Sequence, residues 1–347
     1  MVAAREQPKG AKLADILIAG AGITGLWQTL TLARAGHRVR LVERSAEPFA
    51  DAASRLAGAM LAPYCESESA EPLIAELGLQ ALPLWRALYP ETRQQGSLIL
   101  AAPRDLPELA RFARMTSHFE RLDGAGVAAL EPAFAGRYGQ ALFYPSEAHV
   151  EPGRAMPALL RLAQEAGARV EFGARWDEAE PGSYDHVIDC RGIAASPDLP
   201  ELRGVRGEML VVETDEIALR RPVRLLHPRF PLYVVPWAEN RFMIGATVIE
   251  SGDRGPATVR SALDLLGLAY TLHPAFGEAR ILRFAADVRP SFPDNMPRIT
   301  LRGRRILVNG LYRHGFLLAP SLAALVAHYI KDGTTRQDVF LEDYCER

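Results

Sequence analysis

Two arginines stand in short, conformationally restricted segments in the last quarter of the chain. Arg289 lies in the proline-punctuated stretch 287–297, and Arg313 lies in the turn 310–315 that follows an apolar strand. A guanidinium presents a planar fork that binds a carboxylate through paired, charge-assisted hydrogen bonds. Tyr233, in an apolar strand-like segment, could add a hydroxyl to the same anion. The pattern predicts a carboxylate-binding site; the alternative is that the arginines are surface charges and the tyrosine is plain core.

A glycine-rich turn early in the chain has the spacing of a dinucleotide-binding site. Gly20, Gly22 and Gly25 form G-x-G-x-x-G directly after the apolar residues 15–19. These glycines allow a tight turn, close approach of a pyrophosphate and close packing of the next helix, whose first N–H groups point at the phosphates. Glu43 ends the second predicted strand, 23 residues after Gly20. A carboxylate at this place binds a ribose and disfavours the 2′-phosphate of NADP.

The two turns together favour a flavin over a nicotinamide cofactor, because elements from both ends of the chain would close on one dinucleotide. Ser54 and the small-residue segment 58–63 could contact the pyrophosphate and the edge of the flavin ring. Glycine and alanine let backbone approach a ligand closely, although such a segment is also compatible with an ordinary loop. We therefore expect FAD as the cofactor.

Apolar periodicity predicts an α/β protein. A strand, a helix and a strand over 15–43 form a βαβ unit, and a later strand at 187–190 extends a parallel sheet. Short strands with a turn at 238–240 indicate a separate antiparallel sheet. We expect a Rossmann-like FAD-binding domain with a parallel sheet, formed by residues 14–75, 150–205 and 281–335, and an α+β substrate domain with a large antiparallel sheet, formed by residues 76–149 and 206–280.

The composition argues against several other classes of protein. Lys and Arg number 40 against 42 Asp and Glu, so no basic excess favours nucleic acid or anionic lipid. The cysteines Cys65, Cys190 and Cys345 have no metal-ligand spacing and are odd in number, and no hydrolase or zinc motif occurs. The apolar stretch 316–330 is interrupted by Pro320 and predicts a buried helix rather than a membrane span. With no signal peptide evident, a cytoplasmic, metal-free protein without nucleic-acid or membrane partners is expected.

The order of these motifs resembles that of the flavin-dependent D-amino-acid oxidase superfamily, and most closely the glycine oxidases of thiamine biosynthesis. The likeness covers nearly the whole chain. Besides the glycine turn and Glu43-Arg44, it comprises residues 58–63, 149–152, 205–208, 233–236, 245–247, 288–290 and 313–320. The glycine turn occurs in many nucleotide binders, so the combination of 59–63 with 313–320 is the specific part of the resemblance.

The resemblance implies a two-domain enzyme that holds FAD without a covalent bond and oxidises a small amine such as glycine, with dioxygen as acceptor. Arg289 would bind the substrate carboxylate, Tyr233 would assist, and Arg313 would lie beside substrate and flavin; no residue beyond the flavin is expected to be catalytic. The motifs and the resemblance together assign to FAD the residues Gly20, Gly22, Ile23, Thr24, Gly25, Glu43, Arg44, Ala53, Ser54, Gly58, Ala59, Met60, Trp176, Gly192, Leu311, Tyr312, Arg313, His314, Gly315, Phe316 and Leu317.

Several alternatives remain at this level. A D-amino-acid dehydrogenase would pass the electrons to an acceptor other than oxygen, and a sarcosine-type oxidase would prefer a secondary amine. A nicotinamide dehydrogenase or a flavin-containing binding or RNA-modification module are more distant alternatives. Val248 and His314 stand where the family more often has methionine and asparagine, which leaves the preferred amine open. The pattern is compatible with a homo-oligomer.

Overall fold

The structure is a computed structural model in which residues 13–177, 181–229 and 231–342 are described. The helices of these residues are α1 (Ile23–Arg34), α2 (Pro63–Glu66), α3 (Pro72–Leu88), α4 (Leu106–Met115), α5 (Gly124–Leu130), α6 (Pro152–Glu165), α7 (Val259–Leu272) and α8 (Gly315–Asp332). The strands are β1 (Asp15–Ala19), β2 (Arg38–Glu43), β3 (Met60–Leu61), β4 (Ser97–Ala101), β5 (Glu120–Asp123), β6 (Gln140–Tyr144), β7 (Ala148–His149), β8 (Arg169–Phe172), β9 (His186–Asp189), β10 (Arg203–Glu213), β11 (Val223–Leu226), β12 (Leu232–Pro236), β13 (Arg241–Gly245), β14 (Ile249–Glu250), β15 (Arg280–Ser291), β16 (Arg298–Arg302), β17 (Arg305–Asn309) and β18 (Phe340–Glu342).

The first sheet carries the glycine-rich turn. Its strands are ordered β18-β16-β17-β9-β1-β2-β8 within the described residues, and β1 pairs in parallel with both β2 and β9. β1 is apolar along its length because both of its faces are covered. Ile16 and Ile18 pack in the large core with helices α1, α6 and α8, whereas Leu17 packs on the other face against Val42 and Val187.

The second sheet contributes the opposite wall of the site. Its strands run β14-β10-β13-β12-β11-β4-β6-β5, with β15 paired to β10, and the neighbours are antiparallel except for the parallel pair β4–β11. Side chains alternate along β10, as the two-residue period of a strand requires. Leu210 and Val212 pack in a core shared with α5 and α7, whereas Met209 and Val211 face Met60 on the other side.

The predicted fold class, a Rossmann-like parallel sheet beside an α+β unit with a large antiparallel sheet, is confirmed. The domain bounds stay a prediction, and one segment departs from them: β15 pairs with β10 along its length, so residues 281–291 lie in the second sheet. Helix α6 begins at Pro152, which takes the first-turn position that proline favours. Among the described helices, none combines the length and apolar character needed to cross a membrane.

Candidate active site

A long cleft lies where the carboxyl ends of β1, β2, β9 and β17 face strands β10, β12 and β15 of the second sheet. In sheets of this type ligands bind beyond the carboxyl ends of the parallel strands. Arg289, Tyr233 and every residue that the sequence assigned by name to FAD line this cleft, with the exception of Gly25. Of the segment 58–63, residues 61–63 do not line it. The spatial convergence of the lining residues is therefore a structural fact, while their individual roles stay predictions.

The glycine turn between β1 and α1 is shaped by two close backbone approaches. Gly20 has φ +98°, and a Cβ there would lie 2.7 Å from the carbonyl oxygen of Cys190. A Cβ at Gly25 would overlap the carbonyl group of Gly20. Gly25 thus lets α1 pack directly on the turn. It supports the shape of the turn but does not itself line the cleft.

The N-terminus of α1 opens into the cleft beside a fixed carboxylate. Ile23 N donates to Ser54 Oγ at 3.1 Å, which joins the loop after β2 to the first turn of the helix. Glu43 accepts from Ala21 N at 2.8 Å with one oxygen and from Ser45 N at 3.1 Å with the other. The carboxylate at the end of β2 is therefore held in place by the glycine turn itself.

A second helix N-terminus opens into the same cleft. Helix α8 begins at Gly315, and its N-cap residue, His314, provides no side-chain cap. Gly315, Phe316 and Leu317 line the cleft, and α8 packs against α1. The free N–H groups of a helix start carry partial positive charge and favour an anionic or carbonyl-bearing ligand. The cleft thus contains two helix N-termini and the Glu43 carboxylate. This set fits a dinucleotide whose ring has a polar edge, as in FAD.

Trp176 lines the cleft, and two guanidinium groups contact its ring. Arg191 and Arg305 lie 4.8 and 4.7 Å from its ring centroid. Both arginines are also paired with the buried Asp189, at 2.7 and 2.6 Å. These contacts fix the indole ring at the wall of the cleft.

Arg289 is the cationic group of the second wall. It lies opposite Val205 in the β10–β15 pairing, and its guanidinium crosses Gly207, where a Cβ would overlap it. One nitrogen donates to the carbonyl oxygen of Thr247 at 3.1 Å. Burial lowers the pKa of Arg289 and the neighbouring Tyr233 raises it, but an arginine stays charged at neutral pH. No carboxylate of the described residues pairs with this guanidinium.

Tyr233 stands beside Arg289, and two glycines make room for its ring. A Cβ at Gly58 would lie 3.0 Å from Tyr233 Cε2, and one at Gly245 would lie 3.1 Å from the hydroxyl oxygen. Burial raises the pKa of Tyr233, while Arg289 and Arg313 lower it. The hydroxyl is therefore neutral near pH 7 and can donate a hydrogen bond to an anion held by Arg289.

Arg313, unlike Arg289, already has a carboxylate partner. Its Nη2 lies 2.9 Å from Glu66 Oε2, and His314 Nδ1 lies 3.4 Å from the same oxygen. Burial raises the pKa of Glu66, but the opposing effect of Arg313, His314 and Arg224 is larger, and the net pKa is lowered to about 2. Burial lowers the pKa of His314 to about 4, so the imidazole is neutral near pH 7. Of these two arginines, Arg313 therefore has a carboxylate partner and Arg289 does not.

Sequence reasoning missed Glu66, which lines the cleft at the end of α2. Its partner Arg313 is 247 residues away, so no local pattern could have indicated it. His149 and Cys65 are buried and do not line the cleft, and Cys345 lies outside the described residues. No cluster of potential metal ligands is formed within the described ranges.

Comparisons with known proteins agree with this geometry. A family model for FAD dependent oxidoreductases (DAO) matches residues 15–329. The chain belongs to this family. It is therefore an FAD-dependent oxidoreductase, and the two helix starts and the Glu43 carboxylate are the features of this family member that fit its cofactor.

Individual relatives support the same assignment. A Rhizobium etli protein named as a thiamine biosynthesis oxidoreductase, ThiO, is 52% identical over 90% of this chain and 95% of its own length. The glycine oxidase of Bacillus subtilis is 27% identical over 60% of this chain and 61% of its own length. The crystal structure of glycine oxidase from Geobacillus kaustophilus, at 24% identity, covers 93% of this chain and 95% of that chain with a TM-score of 0.77, which shows the shared fold.

Proposed function

We propose that the protein oxidises glycine or a similarly small amino acid, with dioxygen as the electron acceptor, to glyoxylate, ammonia and hydrogen peroxide. The observation that carries this proposal is the uncompensated Arg289 guanidinium, which faces the same cleft as the two helix starts. A half-buried cation without a carboxylate partner is costly unless a ligand supplies the opposite charge. A small carboxylate-bearing substrate supplies that charge beside the cofactor.

FAD is proposed to bind without a covalent bond along the first wall. The N-terminus of α1 and Ser54 would hold the pyrophosphate, Glu43 the ribose, and the N-terminus of α8 the polar edge of the flavin ring. When bound, FAD supplies the acceptor for the two electrons removed from the substrate.

The protein contributes to the reaction by orienting the substrate. Arg289 would bind the substrate carboxylate through its free N–H groups, and the Tyr233 hydroxyl would donate a further hydrogen bond. Anchoring one end of a molecule as small as glycine fixes the direction of its α-carbon, and such positioning accounts for a large part of many enzymatic rate enhancements. A bulky side chain on the substrate would have to fit beside Tyr233.

The charge of the site also acts on the substrate amine. Arg289 and Arg313 are both cationic, whereas Glu66 is the carboxylate beside them and His314 is neutral near pH 7. The remaining positive charge disfavours an ammonium group in the site and so lowers the pKa of the substrate amine. This favours the neutral amine, which is the form that can be oxidised.

The relatives supply the biological context of the proposal. One of them is named for thiamine biosynthesis and another is named a glycine oxidase. We propose on this ground that the imine formed from glycine, or its hydrolysis product, feeds assembly of the thiamine thiazole. The catalysed step is the same in either case, and only the fate of the product differs.

An oxygen-electrode assay of the purified protein tests the proposal. Glycine, sarcosine and D-alanine would be compared on the wild-type protein and on Arg289→Lys, which keeps the charge and removes the planar fork. We expect oxygen uptake and hydrogen peroxide with glycine, and a rise of roughly 10- to 150-fold in the Michaelis constant in the variant, from loss of about 1.5–3 kcal/mol of charge-assisted bonding. Flavin reduction by glycine without oxygen uptake would indicate a dehydrogenase. An unchanged Michaelis constant in Arg289→Lys would overturn the role of Arg289.

A further inference from the structure

We propose that Glu66 is a specificity-determining residue: it cancels the charge of Arg313, so that the site accepts an amino acid with one carboxylate and rejects amino acids with two. This inference rests on the proposed function, because it assumes that Arg289 binds the substrate carboxylate.

The pairing between Glu66 and Arg313 is built into the site. Glu66 Oε2 lies 2.9 Å from Arg313 Nη2, and Arg313 also donates to Oε1 at 3.3 Å. The Glu66 side chain is only 9% exposed, whereas that of Arg313 is 28% exposed on the cleft side. Oε2 accepts no hydrogen bond of good geometry despite its burial, so its contact with Arg313 is chiefly one of charge.

The segment that carries Glu66 is anchored from below. Pro63 begins the short helix α2, and the buried Glu147 accepts from Tyr64 N at 3.0 Å and from Cys65 N at 2.8 Å. The carboxylate of Glu66 is thus positioned by two backbone bonds next to it in sequence.

The other acidic side chains of the cleft do not compete for this role. Asp287 is paired with Arg254 at 2.9 Å, and Glu43 is held by backbone N–H groups. Asp51 is paired with Arg44 and Asp177 with Arg175, each at 3.2 Å. Without the Glu66 charge, Arg313 would be a second uncompensated guanidinium next to Arg289. Both guanidiniums line the same cleft beside Tyr233, and the pKa of Arg289 is lowered first by burial and then by the charge of Arg313, so the two lie close together. A ligand with two carboxylates would then be favoured over a ligand with one.

The test is equilibrium binding of unreactive anions to the FAD-loaded protein, measured by isothermal titration calorimetry. Acetate carries one carboxylate, and malonate and succinate carry two at different spacings. We expect the wild-type protein to prefer acetate. In Glu66→Gln, the affinity for malonate or succinate relative to acetate should rise by at least about 10-fold. Relative affinities that stay within about 3-fold of wild type would overturn the proposal.

Glu68→Gln is the matched control. It makes the same chemical change two residues away, at a carboxylate that pairs with Arg111 and Arg224 and does not line the cleft. The ratio of diacid to acetate affinity should stay at the wild-type value in this variant. An equal gain in Glu66→Gln and Glu68→Gln would show a general charge effect and would overturn the specific role of Glu66.

A second pair of variants decides the question if Glu66→Gln fails to retain FAD. Arg313→Gln leaves Glu66 uncompensated near Arg289 and should weaken acetate binding by at least about 10-fold. The double variant Glu66→Gln with Arg313→Gln restores the charge balance and should bind acetate within about 3-fold of wild type. Absence of this rescue would contradict charge compensation.

Arg289→Lys separates this proposal from the proposed function. If acetate binding is insensitive to Arg289→Lys, the carboxylate site itself is misassigned. If acetate binding depends on Arg289 but the diacid preference does not change in Glu66→Gln, only the role of Glu66 is wrong.

Discussion

Gly207→Ala should disable the carboxylate site although no charged residue is replaced. Arg289 lies opposite Val205 in the β10–β15 pairing, and its side chain leans diagonally across Gly207, two residues along the same face. A methyl group at position 207 would overlap the guanidinium carbon and both terminal nitrogens of Arg289. Because both terminal nitrogens and the central carbon are involved, a small rotation of the side chain cannot relieve the overlap. The guanidinium must leave the position from which it faces the cleft.

The size of the effect follows from the bonds that are lost. Charge-assisted hydrogen bonds contribute about 1.5–3 kcal/mol to stability or binding. Loss of the Arg289 fork should therefore lower kcat/KM for glycine by roughly 30- to 150-fold, which corresponds to about 2–3 kcal/mol. The added methyl also overpacks the strand pair, with a cost in unfolding free energy of about 1–3 kcal/mol.

A second glycine on the same strand controls for the overpacking. A Cβ at Gly204 would lie 2.6 Å from Val288 Cγ1 and would not approach Arg289. Gly204→Ala should thus destabilise the protein comparably, as measured by urea unfolding, while kcat/KM for glycine stays within a few-fold of wild type. If Gly207→Ala leaves kcat/KM for glycine at the wild-type value, or if Gly204→Ala lowers it equally, the assignment of Arg289 as the carboxylate anchor is refuted.

Three further changes test other parts of the structure. Glu43→Ala removes the acceptor of Ala21 N and should reduce the FAD-to-protein absorbance ratio after gel filtration; an unchanged ratio would count against the ribose role. Ser54→Ala leaves Ile23 N without its acceptor and should lower the free energy of unfolding by about 0.5–2 kcal/mol, so equal urea midpoints would contradict that bond. Burial raises the pKa of Glu147 from 4.5 to about 7, so the folded protein keeps a proton that the unfolded chain releases, and stability falls as pH rises through this range. Between pH 5 and 8, the free energy of unfolding measured with urea should fall by about 3 kcal/mol less in Glu147→Gln than in wild type. If both proteins show the same pH dependence, the Glu147 carboxyl does not titrate in this range.

The features that sequence predicted well are local ones. The run from Ile16 to the turn at Gly25 combines a strand, glycine spacing and a helix within a few residues, and each signal supports the others. The proline-rich sequence around Arg289 indicated a turn, whereas the structure places Arg289 within strand β15, opposite Val205 of β10, so its position depends on a distant strand. The structure brings these local features into one cleft, as the sequence pattern indicated.

The features that sequence missed depend on contacts between distant residues, or on helices with apolar residues on both faces. Helix α7 was not predicted, because apolar residues also occupy its exposed face: Val259, Leu263 and Tyr270 are exposed at 77%, 69% and 60%. The sequence therefore lacks the alternation of apolar and polar residues that marks an amphipathic helix. Glu66 acquires its role only when α2 folds against the turn before α8. A lone glutamate at the end of a one-turn helix carries no signal of that partner.

Anaerobic addition of glycine to the purified protein, followed by visible absorption, tests the central claim most directly. The account predicts a yellow protein with FAD bound, whose flavin absorbance is lost on addition of glycine. A colourless protein that takes up no added FAD would contradict it, as would bound FAD that stays oxidised in excess glycine and becomes reduced with a nicotinamide donor instead.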